Sequence, residues 1–254
     1  MNPPGPSAGT RPKVIVVMPA YNAAKTLQRT HAEIPPDVVD EVILVDDGSS
    51  DETAEVARKL RLHVIRHPHN VGYGGNQRTC YMEALRRGAD VVVMLHPDGQ
   101  YDPSVLGDLV APIADGQADF VIGSRMKIKG GARQGGMPRY KFLANKFLTF
   151  VENLVLGTRL SEFHSGYRAF SRRLLETVPF LRNSNGFVFD QQIVAQAVAF
   201  GFRIHEVPIR TRYFPEASSA SFGQSMVYGL GTIWTMWRYL LHRLRLWRSP
   251  LFSP

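Results

Sequence analysis

Short apolar runs recur along the chain, spaced so that a helix fits between each pair. Lys13-Val14-Ile15-Val16-Val17-Met18 is mostly β-branched and stops at Pro19, which predicts a buried strand. A helical pattern follows over Ala23–Glu33 and closes at Pro35-Pro36. Glu41–Val45 reads as a second buried strand and runs into Asp46-Asp47-Gly48-Ser49-Ser50. Ser49 with Glu52 three residues on has the form of a capping box, so a helix is expected from there to about Leu60. Leu62–Arg66 reads as a third strand, and Asn70–Asn76 as a glycine-rich turn into a helix that ends near Gly88. Val91–Leu95, a helix after Pro103 and Phe120–Gly123 complete the alternation.

Strands alternating with helices of this length predict βαβ units and a mostly parallel sheet. Right-handed crossovers then bring the loops after the strands to one edge. Those loops carry Pro19-Ala20-Tyr21-Asn22, Asp46-Asp47-Gly48, His96–Gln100 and Ser124-Arg125. The second half is less regular. Arg139–Leu156 reads as an amphipathic helix, Glu162–Phe170 as a turn and short strand, Gly186–Phe200 as a helix, and Phe202–Tyr213 as two short strands meeting at Pro208. No linker or internal repeat divides residues 13–215, so they are expected to form one domain, preceded by a lead-in over 1–12 and followed by a segment over 216–254.

Composition narrows the setting. The 254 residues are 44% hydrophobic and 20% charged, enough for one domain with a full core. The single cysteine, Cys80, excludes an internal disulfide framework and fits a reducing compartment. Residues 1–12 are rich in Pro, Gly and Ser without the apolar stretch of a signal peptide. A formal net charge of +8 favours anionic partners such as nucleotides or acidic lipid. From Ser225 to Arg248 apolar and aromatic residues cover much of a helix whose end gathers arginines. Its uncharged stretch is shorter than the roughly 18–20 residues a spanning helix needs. Two readings remain: a helix lying in a bilayer interface, or one packed on the core or a second subunit. The basic residues do not interleave with aromatics on one exposed face, so nucleic acid is not an expected partner.

Chemistry concentrates at the strand ends. His96, Asp98 and Gln100, two residues apart after a buried strand, would point the same way in an extended chain and could converge on one divalent cation. The plainer alternative is a polar turn. Asp46 and Asp47 stand where an acid in a nucleotide-binding α/β sheet can reach a ribose or base edge; helix capping is the alternative for Ser49 and Asp47. The turn at Gly72 lacks G-x-G-x-x-G spacing and follows the third strand, so it is not read as a dinucleotide site. Arg125, Arg133, Arg139 and Lys141 flank a glycine-rich stretch suited to phosphate, or to plain solvation. His164 reads as structural. Asp190 reads either as a helix cap or as a general base.

Val16–Asn22, Val45–Thr53, Asn70-Val71-Gly72, Asp98-Gly99-Gln100 and Ser165–Phe170, in that order, resemble glycosyltransferase family 2, and within it the dolichyl-phosphate mannose synthase-like enzymes. The resemblance covers about Lys13 to Tyr213. It implies the GT-A fold, a Rossmann-like, mostly parallel α/β sheet flanked by helices, here with a C-terminal amphipathic helix. It also implies inverting transfer of a hexose from a UDP- or GDP-sugar. Pro19, Tyr21, Asp46, Asp47, Gly72 and Pro97 would then bind the nucleotide sugar, and Arg125, Arg133 and Arg139 would lie near the diphosphate or acceptor. The family's D-x-D metal motif falls on His96-Pro97-Asp98, so His96 stands where the pattern has an acid. Gln100 matches a glutamine that assists the metal in this branch. Loss of one negative charge tilts the cation from Mg²⁺ towards Mn²⁺.

Together these readings predict transfer to a polyprenyl phosphate by an enzyme that is cytoplasmic, peripheral on the inner face of an anionic membrane, with self-association left open. Asp98 and Arg125 would serve the departing diphosphate, and Asp190 would act as base only for a hydroxyl acceptor. Transfer to a saccharide or glycolipid hydroxyl, and nucleotide-sugar binding with little catalysis, are the alternatives.

Overall fold

The structure is a computed structural model that describes residues 11–128, 130–212 and 222–254. The first ten residues of the expected lead-in, and the junction expected at 215–216, lie outside the described residues. Elements run in the order β1 (Val14–Ala20), α1 (Ala24–Ala32), β2 (Glu41–Asp46), α2 (Thr53–Lys59), β3 (His63–Arg66), α3 (Tyr73–Arg86), β4 (Val91–Met94) and α4 (Leu106–Ala114). There follow β5 (Phe120–Ser124), α5 (Gly131–Gln134), α6 (Arg139–Leu156), β6 (Arg168–Ser171), α7 (Arg172–Thr177), α8 (Phe189–Ala199), β7 (Ile204–Pro208) and α9 (Phe222–Arg243).

Seven strands form one sheet in the order β3-β2-β1-β4-β6-β5-β7. All ladders are parallel except those of β6, which runs antiparallel between β4 and β5. The mostly parallel sheet is as expected; the reversed strand is not something an apolar run reveals. Every residue of β1 is buried, as befits a strand covered on both faces. Ile15 and Val17 join one apolar layer with Tyr81, Phe170 and Ile193, while Val14, Val16 and Met18 join the opposite layer with Leu27 and Leu109.

Two local expectations change. The capping box does not form: α2 starts at Thr53, and the Ser49 hydroxyl instead accepts the backbone N–H of Asn22 at 2.8 Å. The β1 loop therefore takes the oxygen that would have capped α2. Secondly, β4 ends at Met94, so His96, Asp98 and Gln100 lie on a turn with Gly99 at φ +72° and not on an extended strand. The even spacing thus cannot be what aligns them.

α9 packs on the core along one side, as the second reading of the C-terminal helix expects, and leaves its other side exposed. Thr232, Thr235, Met236 and Tyr239 are buried against the body of the protein, and the chain then folds back to bury Leu251 and Phe252. Phe252 packs edge-on to Tyr239 at 5.5 Å, and Gln196 of α8 donates to the Leu251 carbonyl at 3.1 Å. The other side leaves Val227, Leu230, Trp234 and Trp237 exposed. No helix among the described residues is long and apolar enough to cross a membrane.

Candidate active site

The carboxyl ends of β1, β2, β4 and β5 share one edge, and the amino end of β6 joins them because β6 runs the other way, with Arg168 opposite Met94. A cleft of about 1240 Å³ opens there, large for a single small ligand. Of the sequence-predicted residues it gathers Pro19, Tyr21, Asp47, Gly72, His96, Pro97, Asp98, Gln100, Arg125 and Asp190. α6 and the first turns of α9 form its outer wall through Lys141, Leu148, Met226 and Tyr228.

The two adjacent acids divide their work. Asp46 is fully buried and does not line the cleft; it accepts the Ser49 N–H at 3.0 Å and pairs with Arg66 at 3.2 Å. Asp46 thus shapes the turn from behind the cleft wall. Asp47 lines the cleft and accepts from the backbone of Val71 and Gly72 at 2.9 and 3.1 Å, with His67 Nδ1 at 2.8 Å. It draws the glycine-rich turn onto the pocket. The glycines of that turn serve a protein contact: a Cβ on Gly74 would lie 2.2 Å from the Ser184 carbonyl.

Asp98 Oδ1 accepts the backbone N–H of Gln100 at 3.0 Å, which closes the turn after β4. Burial pushes the Asp98 carboxyl above its ordinary value, partly opposed by His96. The His96 ring stacks on Tyr73 with centroids 5.6 Å apart, and its Nε2 lies 3.2 Å from the Tyr73 hydroxyl. Gly166 lacks a side chain where a Cβ would fall 2.8 Å from that nitrogen. Among the described residues no group of three or more His, Cys, Asp or Glu is arranged to hold a metal ion. The candidate donors are therefore two such residues, His96 and Asp98, with the Gln100 amide.

The basic wall differs from the expected one. Arg133 and Arg139 are exposed and do not line the cleft, because α5 and the start of α6 carry them outward; Arg125 and Lys141 line it instead. Arg125 is fixed by Glu162, which accepts its Nε at 2.8 Å and its backbone N–H at 2.7 Å, and also accepts Asn145 Nδ2 at 2.9 Å. Burial opposes ionisation of Glu162, but Arg125 and these hydrogen bonds outweigh it and hold the carboxyl below its ordinary value. Burial, aided by the Arg125 charge, lowers Lys141.

Asp190, in the first turn of α8, accepts from the Tyr73 hydroxyl at 2.8 Å and Gln77 Nε2 at 2.9 Å. Arg168 is fully buried beneath it and donates to the carbonyls of Ser165, Phe163 and Asp190 at 2.7, 2.8 and 2.6 Å. His164 lines the cleft and joins α9 to α6: its Nδ1 lies 2.7 Å from the Tyr228 hydroxyl and its Nε2 3.1 Å from Glu152. Burial raises Glu152, against the pull of His164. Tyr73, Gln77, Glu162, Arg168 and Tyr228 were not singled out as site residues from the sequence. For Arg168 the signal was present, in Ser165-Gly166-Tyr167-Arg168-Ala169-Phe170; for the others no local pattern marks them.

An open α/β sheet with a polar cleft at its carboxyl edge is the arrangement of the GT-A fold. The model of glycosyl transferase family 2 matches residues 15–178, so the chain belongs to that family, in its dolichyl-phosphate mannose synthase-like branch. Among its relatives is a UDP-N-acetylglucosamine–dolichyl-phosphate N-acetylglucosaminyltransferase of Methanococcus voltae, 29% identical over 79% of this chain and 86% of that protein. Another is a polyprenol monophosphomannose synthase of Mycolicibacterium smegmatis, 31% identical over 78% of this chain and 76% of that protein. The fold matches that of glucosyl-3-phosphoglycerate synthase from Mycobacterium tuberculosis, solved with Mn²⁺, UDP-glucose and phosphoglyceric acid. The TM-score is 0.69 and identity 22%, over 90% of this chain and 80% of that one.

Proposed function

We propose that this glycosyltransferase moves a hexose, with inversion, from a UDP- or GDP-sugar to a polyprenyl phosphate at an anionic membrane surface. One observation carries the reading. The polar floor of the cleft, with Asp47, Asp98 and Gln100, rises to a wall of α6 and α9 whose outer sides expose Leu143, Phe147, Phe150, Leu154, Val227, Leu230, Trp234 and Trp237. A donor with a charged diphosphate and an acceptor with a phosphate head on an apolar tail match those two ends. Exposed arginines at 243, 245 and 248 suit lipid phosphates beside the tryptophans.

The donor set of His96, Asp98 and Gln100 fits a divalent cation. An imidazole, a carboxylate and an amide oxygen together suit Mn²⁺ better than Mg²⁺, and a cation would offset the burial that raises Asp98. Such a cation, when bound, would supply positive charge at the departing diphosphate. The protein's own residues do the rest. Asp47 and Tyr21 face the nucleoside end. Arg125, locked by Glu162, presents a fixed guanidinium to phosphate oxygens, and Lys141 stands on the same wall. The acceptor phosphate oxygen attacks the anomeric carbon as the bond to the diphosphate oxygen breaks. A lipid phosphate is already ionised near neutral pH, so the step needs no base. Asp190, whose oxygens accept from Tyr73 and Gln77, is occupied in the site's framework, which favours the phosphate acceptor over a hydroxyl.

The test is transfer from a panel of UDP- and GDP-hexoses, with Mn²⁺, Mg²⁺ or EDTA, to a polyprenyl phosphate or to free saccharides. A lipid-phosphate sugar of inverted configuration, lost in EDTA, is expected. Transfer to saccharide hydroxyls alone would overturn the acceptor assignment. Metal-dependent nucleotide-sugar binding without turnover would overturn transfer itself.

A further inference from the structure

His96 is fixed more tightly than a chance polar residue on a turn. Its ring stacks on Tyr73 with centroids 5.6 Å apart, and Tyr73 in turn packs on Phe187 at 4.6 Å. The Nε2–Cδ2 edge of His96 is seated against Gly166, where a Cβ would meet those two atoms at 2.8 and 3.0 Å. The same Nε2 faces the Tyr73 hydroxyl at 3.2 Å, and that hydroxyl faces Asp190 Oδ2 at 2.8 Å. Asp190 is in turn surrounded by donors, with Gln77 Nε2 at 2.9 Å and the Arg168 guanidinium 3.8 Å from Oδ1.

The donors and acceptors along this row favour one direction. A carboxylate only accepts, so the one hydroxyl proton of Tyr73 goes to Asp190. The Tyr73 oxygen must then accept from His96, and Nε2 carries the ring proton. In a neutral imidazole the lone pair is left on Nδ1, the nitrogen on the edge away from Gly166. A histidine whose protonated nitrogen is tied through a second residue to a carboxylate is the arrangement by which proteins orient metal-binding imidazoles.

We infer that Tyr73 and Asp190 are positioning residues that hold His96 as its Nε2–H tautomer, presenting Nδ1 to a divalent cation and biasing the site towards Mn²⁺ over Mg²⁺. The inference rests on the metal reading above and assigns Asp190 to orientation, not to proton removal from an acceptor. It also accounts for a histidine at this position: an imidazole set by Tyr73 replaces the charge of a carboxylate with a directed nitrogen donor.

The experiment uses the full chain. ¹⁵N NMR of labelled histidines in the metal-free protein, assigned with His96→Asp, should show Nε2 protonated and Nδ1 bare; this needs no variant of Tyr73. Mn²⁺ and Mg²⁺ affinities are then titrated, with UDP or GDP present, for the wild type, Tyr73→Phe, His96→Asp and the double variant. Tyr73→Phe is expected to weaken Mn²⁺ binding about 10- to 100-fold, the range seen when residues orienting a ligand are lost. On the His96→Asp background the same change should have less than about a twofold effect, and His96→Asp alone should raise the relative affinity for Mg²⁺. An Nδ1–H tautomer, or an equal loss from Tyr73→Phe in both backgrounds, would overturn the inference and leave the metal reading standing. No Mn²⁺ binding by the wild type with either nucleotide would overturn both.

Discussion

At the level of single residues, the site depends on pairs that bring together distant parts of the chain. Glu162 holds Arg125 across 37 positions, and Asp190 holds Tyr73 across 117. This is why the sequence revealed the cleft-facing members, His96, Asp98, Gln100, Asp47 and Arg125, but not their supports. A residue at a strand end is marked by its neighbours; a buried partner is marked only by a fold that brings it near. Arg133 and Arg139 show the converse, since their clustering with Arg125 was real in sequence and was undone by the outward path of α5 and α6. Removing Glu162 strands a buried guanidinium, so Glu162→Ala should cost about 3–5 kcal/mol in urea unfolding. The pair also predicts an acid limb. The Glu162 carboxyl sits below its ordinary value in the folded protein, so on acidification the unfolded chain takes up this proton first. The contribution is complete above the ordinary Glu range of about 4.3 and is lost as pH falls below it, through the lower folded value. Unfolding measured against pH for wild type and Glu162→Gln should show their stability difference shrinking on the acid side of that range. A difference constant with pH would exclude the pair as its source.

At the level of elements, α9 is both a wall of the cleft and an exposed apolar face. It reaches the cleft through Tyr228, whose hydroxyl meets His164, and its close seating on the 184–188 loop is set by Gly231, where a Cβ would lie 2.4 Å from Val188 Cγ2. Gly231→Ala is therefore expected to cost about 1–3 kcal/mol by overpacking, and Val188→Ala in the same chain should recover part of it. Calorimetry of the two single variants and the double variant checks this, and strict additivity would rule out the contact. The opposite side of the helix can be tested separately. Replacing Trp234 and Trp237 with Ser should lower partition onto anionic vesicles at least about tenfold, since each indole buries a large apolar area. Both side chains are also about half buried, at 53% and 51% exposure, so the stability of the double variant is measured alongside and vesicle binding is compared only where it stays folded. Undiminished vesicle binding would move the docking face elsewhere. The amphipathic pattern of α9 was readable from the sequence. Which side of it the core would claim was not, because that depends on α6 and α8.

For the whole molecule, the mostly parallel sheet of the first half was legible because alternating apolar runs and helices allow few topologies. The reversal of β6 was not, since a strand of four residues, three of them buried, carries no direction of its own. Charge acts at this scale too. With a formal net charge of +8, association with anionic vesicles should weaken as salt rises from about 0.1 to about 1 M and the screening length falls from about 10 to about 3 Å. A salt-resistant remainder is expected from the apolar faces of α6 and α9. Equal binding to neutral and anionic vesicles at every salt concentration would remove charge from the account.

The reversed strand also bears on how the molecule comes into being. β4 and β5 share no ladder; each pairs with β6, which the ribosome delivers more than forty positions after β5. Until Arg168–Ser171 emerges, a nascent chain carries an unpaired inner edge on β4 and unpaired edges on both sides of β5, whose other partner β7 comes later still, all open to any foreign strand. The strand that joins β4 to β5 also brings Arg168 beneath the cleft, so closing the gap between them and completing the floor are one event.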